Sequence, residues 1–145
     1  MDDVFSLFDI SGSALSAERR RMGLIANNIA NANTTKGIDG KPYRRKYAVF
    51  STILNNEVNS IGSDDYLREK GVKIEKIVTD QSPFISIYDP NHPDADEKGY
   101  VQYPNVNILE EMVDLLASSR AYEANITVIK VTKSIIMKSI ELLKI

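Results

Sequence analysis

The chain contains no cysteine and no tryptophan, and it has a single histidine, His92. Without cysteine it forms no disulfide, no thiolate metal site and no cysteine nucleophile. One imidazole makes histidine-based catalysis or a multi-histidine metal site hard to build. The 145 residues carry 18 Lys and Arg against 20 Asp and Glu, a formal net charge of −2. This balance argues against an overall basic nucleic-acid binder.

Long apolar runs and a secretory leader are also absent from the sequence. The apolar stretches are interrupted by Lys, Asp or Asn, and they fall short of the ~20 residues that a membrane-spanning helix needs. The first residues, Met1-Asp2-Asp3-Val4-Phe5, are acidic and lack the basic region that precedes the apolar core of a signal peptide. The sequence therefore indicates a cytoplasmic protein, or one exported by a machine that uses no cleaved signal peptide.

Candidates for catalysis or metal binding are few. His92 lies among Asp89, Asp94, Asp96 and Glu97, but their spacing does not match that of a calcium-binding loop. A solvated acidic turn is the better interpretation of this cluster. No phosphate-binding glycine loop and no hydrolase motif is present. We therefore expect no enzymatic activity, no metal, no cofactor and no small-molecule substrate.

The C-terminal zone, residues 107–145, has apolar residues at coiled-coil spacing. In steps of three and four, the series consists of Met112, Leu115, Ser119, Tyr122, Ile126, Ile129, Lys133, Ile136, Ile140 and Leu143. A repeat of about 3.5 residues is typical of a coiled-coil seam rather than of the wider apolar stripe of a globular helix. Asn107 is a suitable N-cap, and neither Pro nor Gly follows it. The pattern predicts one long helix that its own chain is too short to enclose.

The N-terminal zone, residues 1–36, repeats this pattern more weakly. Its seam consists of Phe8, Leu15, Met22 and Ile29, with Ser11, Glu18, Ile25 and Ala32 at the intermediate positions. Glu18 interrupts the seam, and Gly12 and Gly23 lower the helix propensity. We predict a helix over residues 4–32 that packs antiparallel against the C-terminal helix as a coiled coil.

The middle of the chain, residues 37–106, holds all five prolines and shows no helical period. Alternating apolar and polar residues predict short strands at 43–54, 71–79, 84–88 and 100–103. The polar stretch 55–70 is interpreted as a mobile connection. The predicted fold is therefore mainly α, with two long terminal helices and a small β-rich, loop-rich central insertion, or α+β overall.

A basic segment follows the start of the first helix. Residues 18–46 contain eight basic and two acidic side chains. Three of the basic residues are the consecutive arginines 19–21, which spread around a helix because each residue turns by ~100°. We therefore favour a solvated or partner-facing basic collar over a nucleic-acid patch.

Three asparagines, Asn27, Asn28 and Asn31, lie near the end of the first helix, where asparagine is a poor helix former. One interpretation is fraying of the helix toward its end. The other is a polar register device in a helical interface, the role that buried asparagine has in coiled coils. The residues alone do not choose between them.

Several segments resemble the signature segments of bacterial flagellar rod and hook proteins. At the N-terminus they are SGSALSAER at 11–19 and ANNIANANTT at 26–35. At the C-terminus they are EEMVD at 110–114 and SRAYEAN at 119–125. In the middle, the segments GKPYRR at 40–45, SPF at 82–84 and YDPNHPDAD at 88–96 are similar to the proximal-rod members of this family.

This resemblance implies a structural subunit of the flagellar proximal rod, the torque-transmitting axial drive shaft. It implies export through the flagellar type III apparatus without a cleaved signal peptide, and assembly in the periplasm with itself and with other rod proteins. Residues 1–36 and 107–145 would form the axial helices and 37–106 the insertion, with no nucleic-acid partner and no membrane insertion. The alternative is a soluble coiled-coil adaptor or a weak nucleic-acid-binding module.

The resemblance also assigns the asparagines to the subunit interface, together with the seam. The expected interface residues are Leu15, Met22, Ile25, Asn27, Asn28, Ile29, Asn31, Met112, Leu115, Tyr122, Ile126, Ile129, Ile136 and Ile140.

Overall fold

The computed structural model of the chain describes residues 2–37, 39–54 and 69–142. In chain order the elements are α1 (Asp2–Ala30), β1 (Lys46–Leu54), β2 (Glu69–Thr79), β3 (Ile85–Tyr88), β4 (Tyr100–Tyr103) and α2 (Ile108–Leu142). The prediction of two long helices around a small β-rich middle is confirmed. The described strands pair antiparallel in two small sheets. Most of the predicted mobile connection, residues 55–68, lies outside the described residues.

The two helices run antiparallel. Asn28, near the end of α1, donates to Glu111 in the first turn of α2, and Arg21, seven residues earlier on α1, meets Asp114. At 1.5 Å per residue the helices are about 44 Å and 52 Å long. Asn107 caps α2, because its Oδ1 accepts from the backbone N of Leu109 at 3.1 Å. Among the described elements, α2 packs only against α1.

A two-stranded ribbon of β1 and β2 lies along α1. The strands are antiparallel, with Lys46 opposite Thr79 and Ile53 opposite Gly71. At one end, the Asn28 side chain bonds both the backbone N and the backbone O of Lys46, at 3.0 and 2.8 Å. At the other end, the backbone N of Val72 donates to Ser13 Oγ at 3.0 Å. Helix α1 therefore lies between α2 and the ribbon, which it holds at two points.

Strands β3 and β4 form a second two-stranded sheet, so the described strands make two small sheets rather than one. The turn between β2 and β3 is fixed by Asp80, whose Oδ1 accepts from the hydroxyl and the backbone N of Ser82 at 2.6 and 2.8 Å. These two hydrogen bonds hold the pKa of the Asp80 carboxyl below its ordinary value, with a smaller contribution from the charges of Arg45 and Arg44.

The buried core is small for a chain of this size. Among the described residues, its buried apolar side chains include Ala17, Ile25, Ala32, Val101 and Val106. The solvent-accessible surface is 11109 Å², whereas a compact monomer of 16.2 kDa has about 7,500 Å². The chain therefore exposes far more surface than a globule of its mass, in agreement with a long α2 that contacts only α1 among the described elements.

The face of α2 that packs on α1 differs in part from the predicted seam. Most of its buried and half-buried residues follow steps of four and three, and these are Glu111, Leu115, Ser118, Tyr122, Asn125, Ile129, Thr132 and Ile136. Asp114, Ser119, Ala121 and Ile126 are half-buried at the sides of this series. The predicted seam shares every second member of this series. At the remaining positions the predicted seam has the next residue along the chain. For example, it has Met112, which is 53% exposed, where the packing series has Glu111. Neighbouring residues point ~100° apart on a helix. The face of α2 that packs on α1 is therefore rotated from the predicted seam toward the polar residues Glu111, Ser118, Asn125 and Thr132.

One of these polar members leads to a prediction. Ser118 is 0% exposed, and its hydroxyl has no hydrogen-bond partner within the described part of the chain. We expect Ser118→Ala to raise the free energy of unfolding by about 1.5 kcal/mol in urea titrations, because it removes an unpaired buried hydroxyl and improves helix propensity. Ser134→Ala, on the exposed side of α2, should gain only about 0.5 kcal/mol from propensity. Equal gains in the two variants would contradict the assignment.

Candidate assembly surface and the junction that positions it

The helices and the ribbon meet at a cluster that we call the polar junction, formed by Asn28, Tyr43, Arg45, Glu111 and Asp114. Glu111 is 1% exposed and accepts from Asn28 Nδ2 at 2.9 Å and from Arg45 Nε. Asp114 lies 3.4 Å from Arg45 Nη2. A buried carboxylate is tolerated only when it is paired and hydrogen-bonded, and both conditions are met here.

The Asn28 amide uses all of its hydrogen-bonding capacity inside the chain. Its Nδ2 donates to Glu111 and to the backbone O of Lys46. Its Oδ1 accepts from the Tyr43 hydroxyl at 2.9 Å and from the backbone N of Lys46. Since an amide has two donor hydrogens and two acceptor lone pairs, Asn28 joins α1, α2 and β1 with nothing left over.

The charges of the junction keep its donors protonated. Burial lowers the pKa of the Arg45 guanidinium, but the hydrogen bond that Arg45 donates to Glu111 and the negative charges of Glu111, Asp114 and Asp80 outweigh this effect, so the pKa is raised above its ordinary value. Burial, followed by the charge of Glu111, raises the pKa of the Tyr43 hydroxyl. At neutral pH, Arg45 is therefore cationic and Tyr43 still carries the proton that it donates to Asn28. The junction fixes where α2 starts relative to the end of α1.

Helix α2 carries a second apolar stripe that faces away from α1, and we call it the outer stripe. It consists of Val128, Val131, Ile135 and Leu142, which are 40%, 53%, 59% and 74% exposed. At ~100° per residue, the stripe lies about 120° around the helix from the face that packs on α1. A row of exposed large apolar side chains is typical of a surface that another protein covers.

The structure places the expected interface residues at different depths. Two are buried, Ile25 and Asn28. The half-buried ones are Leu15, Met22, Ile29, Asn31, Leu115, Tyr122, Ile126, Ile129 and Ile136. The exposed ones are Asn27, Met112 and Ile140. Of the three asparagines, Asn28 is the one that joins other described elements. Asn31 lies just past the end of α1, and its Nδ2 donates to the backbone O of Asn27 in the last turn of that helix.

Part of the basic collar is engaged within the chain. Arg21 pairs with Asp114, and Arg45 belongs to the polar junction. Arg44 donates to the backbone O atoms of Asp80 and Ser82, and its guanidinium lies 4.1 Å from the centre of the Phe84 ring. These side chains hold the protein together, which leaves fewer of them to contact nucleic-acid phosphates.

His92 has a structural position in its loop. Its Nδ1 accepts from the backbone N of Asp94 at 3.1 Å, and its ring lies 6.3 Å from that of Tyr103. Within the described residues, no three His, Asp or Glu side chains converge on a point that could hold a metal ion.

Sequence reasoning missed Tyr43, Arg45, Glu111 and Asp114 as a group. The available signal was the polar series Glu111, Ser118 and Asn125, spaced seven apart next to the apolar seam. Its meaning depends on Tyr43 and Arg45, which come from a distant part of the chain.

Comparisons with known proteins agree with this architecture. Residues 8–37 match the family described as flagella basal body rod protein, and residues 97–142 match the flagellar basal body rod FlgEFG protein C-terminal family. The flagellar basal-body rod protein FlgC of Bacillus subtilis is 44% identical over 149 residues, covering 95% of this chain and 97% of that protein. FlgC of Borreliella burgdorferi is 43% identical, covering 97% and 98%, and FlgC of Salmonella typhimurium is 38% identical, covering 96% and 97%. The chain therefore belongs to the FlgC family of flagellar basal-body rod proteins.

Proposed function

We propose that this chain is a structural subunit of the flagellar proximal rod, and that its terminal helices pack as coiled coils with those of neighbouring subunits. The outer stripe of α2 carries this proposal. Val131, Ile135 and Leu142 are each more than half exposed in the single chain, and covering them removes apolar surface from water. Because α2 is apolar on two faces, one face packs on α1 and the other can pack on a neighbouring subunit.

The remaining features support a subunit of an extended assembly. The accessible surface of 11109 Å² exceeds by far the ~7,500 Å² of a compact monomer. The relatives are named as rod proteins, which supports a structural role without catalysis. In the proposed assembly, residues 1–36 and 107–145 form the axial helices, residues 37–106 lie outside them, and the shaft transmits torque.

We further propose that the chain reaches its place through the flagellar type III export apparatus, without a cleaved signal peptide, and assembles in the periplasm with other rod proteins. The lack of cysteine in the sequence supports export by this route. Neither described helix has an apolar stretch that could cross a bilayer.

A charge in the outer stripe tests the helix packing. We expect Ile135→Asp to abolish rod assembly in cells in which it replaces the parent protein, because a carboxylate in an apolar helix contact costs several kcal/mol. The measurements are swimming in soft agar and electron microscopy of isolated basal bodies. The purified variant should keep the helical content of the parent, since Ile135 is 59% exposed.

The matched control is Ser134→Asp. It adds the same charge at the neighbouring exposed position, outside the outer stripe, and should assemble like the parent. Complete rods and normal swimming with Ile135→Asp would refute the proposed packing surface. Loss of assembly in both variants would show that a negative charge anywhere on this part of α2 prevents assembly, and that the effect is not specific to the outer stripe.

A further inference from the structure

A cleft with a basic lining lies beside the end of α1, and we call it the basic cleft. Its volume is about 790 Å³, and its charged lining residues are Lys41, Arg44 and Lys46 against the single acid Asp39. The rings of Tyr43 and Phe84 also line it. Three cations beside two aromatic rings fit a segment that carries carboxylates.

The cations of the basic cleft are available for a partner. None of the three forms an ion pair with a carboxylate among the described residues. Arg44 is held in place by the backbone O atoms of Asp80 and Ser82, at 3.1 and 3.0 Å. Because a guanidinium has five N–H donors, Arg44 is positioned and still has donors free.

The chain itself carries a segment of opposite charge to the basic cleft, residues 89–97, which we call the acidic loop. It contains Asp89, Asp94, Asp96 and Glu97. Backbone hydrogen bonds from Asp89 N to Gly99 O and from Gly99 N to Asp96 O, both 2.9 Å, close the loop. Docking such a preformed loop costs little ordering entropy. Glu97 is exposed and forms no ion pair with any described residue.

The acidic loop does not fill the basic cleft of its own chain. Thr35 Oγ1 donates to Asp94 at 2.8 Å, and Lys36 Nζ lies 3.8 Å from the same carboxylate. These contacts hold the loop beside an adjoining hollow of about 310 Å³, which shares Gly40, Pro42 and Gln102 with the basic cleft. No loop residue lines the basic cleft itself. A loop that enters the cleft while Thr35 and Lys36 keep their contacts with Asp94 comes from another molecule.

We propose that the acidic loop of one copy of this chain docks, with Glu97 leading, into the basic cleft of the next copy. The two surfaces differ, so the contact is heterologous and repeats from copy to copy around a ring or along a helix. This inference rests on the proposed rod assembly and adds to it a contact between copies outside the helices. Because each copy offers its loop to one neighbour and its cleft to the other, the contact gives the series of copies a defined polarity.

Cysteine crosslinking tests the contact, because the natural chain has no cysteine. A Lys41→Cys copy and a Glu97→Cys copy with different tags are expressed together, and isolated basal bodies are oxidised. We expect a disulfide-linked dimer that carries both tags, and no such dimer when Lys41→Cys is combined with the control Ser134→Cys. Normal rods without the mixed dimer would overturn the inference while leaving the proposed function in place.

Charge exchange is the second test. We expect Lys41→Glu and Glu97→Lys each to lower the number of completed rods per cell roughly tenfold, since like charges then face each other. The double variant should recover most of the loss. Both side chains are exposed, so the fold should be unaffected.

Three other results would each contradict a different part of the proposal. A loss with Lys41→Glu but none with Glu97→Lys would mean that a different protein occupies the cleft, and would overturn the assignment to a second copy. Single variants that both assemble like the parent would overturn the contact altogether. A parent chain that fails to restore rods in cells lacking their own subunit would instead refute the proposed function.

Discussion

We expect Asn28→Asp to lower the free energy of unfolding by about 4 kcal/mol in urea titrations. The substitution preserves shape but replaces two N–H donors by a charged oxygen. That oxygen would lie near Glu111 Oε2 and the backbone O of Lys46, which the Asn28 amide now contacts at 2.9 and 2.8 Å. With Asn28 1% exposed, solvent cannot screen the repulsion, and an uncompensated buried charge costs about 3 to 5 kcal/mol.

Asn27→Asp is the matched control. Asn27 is exposed, and a negative charge there has the same unfavourable interaction with the C-terminal end of the α1 dipole. We expect a loss of only about 0.5 kcal/mol. Similar losses in the two variants would show that the helix end, and not the polar junction, is responsible.

The second large effect is expected for Gly71→Ala, at about 3 kcal/mol of lost stability. Gly71 has a φ of +134°, a conformation that L side chains rarely adopt. A Cβ built there would lie 2.1 Å from Ser13 Oγ and 3.0 Å from Ser13 Cβ. Ser13 Oγ cannot simply turn away, because it donates to the backbone O of Ile10 at 2.7 Å and accepts from Val72 N. The ribbon would have to move off α1.

Gly40→Ala separates backbone strain from the clash. Gly40 also has a positive φ, +70°, but an added Cβ would meet no atom within 4 Å. It should lose only about 1 kcal/mol, as measured by the same urea titration. Adding Ser13→Gly to Gly71→Ala should recover part of the stability, because the two sites are in contact and their effects are not additive. Purely additive losses would refute the contact between the ribbon and α1.

The contacts of Asn28 with Lys46 and of Ser13 with Val72 attach the ribbon to α1. The ribbon is held by Asn28 at one end and by Ser13 at the other, about 22 Å apart along α1. The polar junction then ties the same end of α1 to the start of α2 through Glu111. A displacement at either site would move the ribbon relative to the helices.

Local sequence was sufficient for the elements. The heptad spacing of Leu15, Met22 and Ile29 predicts α1, and that of the series from Met112 predicts α2. Period-two alternation and the prolines predict the strands of the middle, because such patterns record which side of a backbone can be buried. The signature segments at both ends were sufficient for the family.

Local sequence was not sufficient for the choice of packing face on α2. Met112 and Glu111 are neighbours ~100° apart on the helix, and both faces of α2 carry apolar residues. The choice depends on Asn28 and Arg45, which pair with Glu111 across 83 and 66 residues of chain. No pattern along the sequence encodes such a contact.

By itself, then, the sequence determined two long helices around a β-rich middle and membership of a rod-protein family, since these depend on periodicity and short motifs. Only the tertiary structure decided that the described strands of the middle form two separate sheets, that Asn28 and Glu111 are buried together, and that Val131 and Ile135 are exposed in the single chain. These outcomes depend on which distant residues meet, and the hydrogen-bonding needs of the buried polar groups select one arrangement among those that the apolar pattern permits.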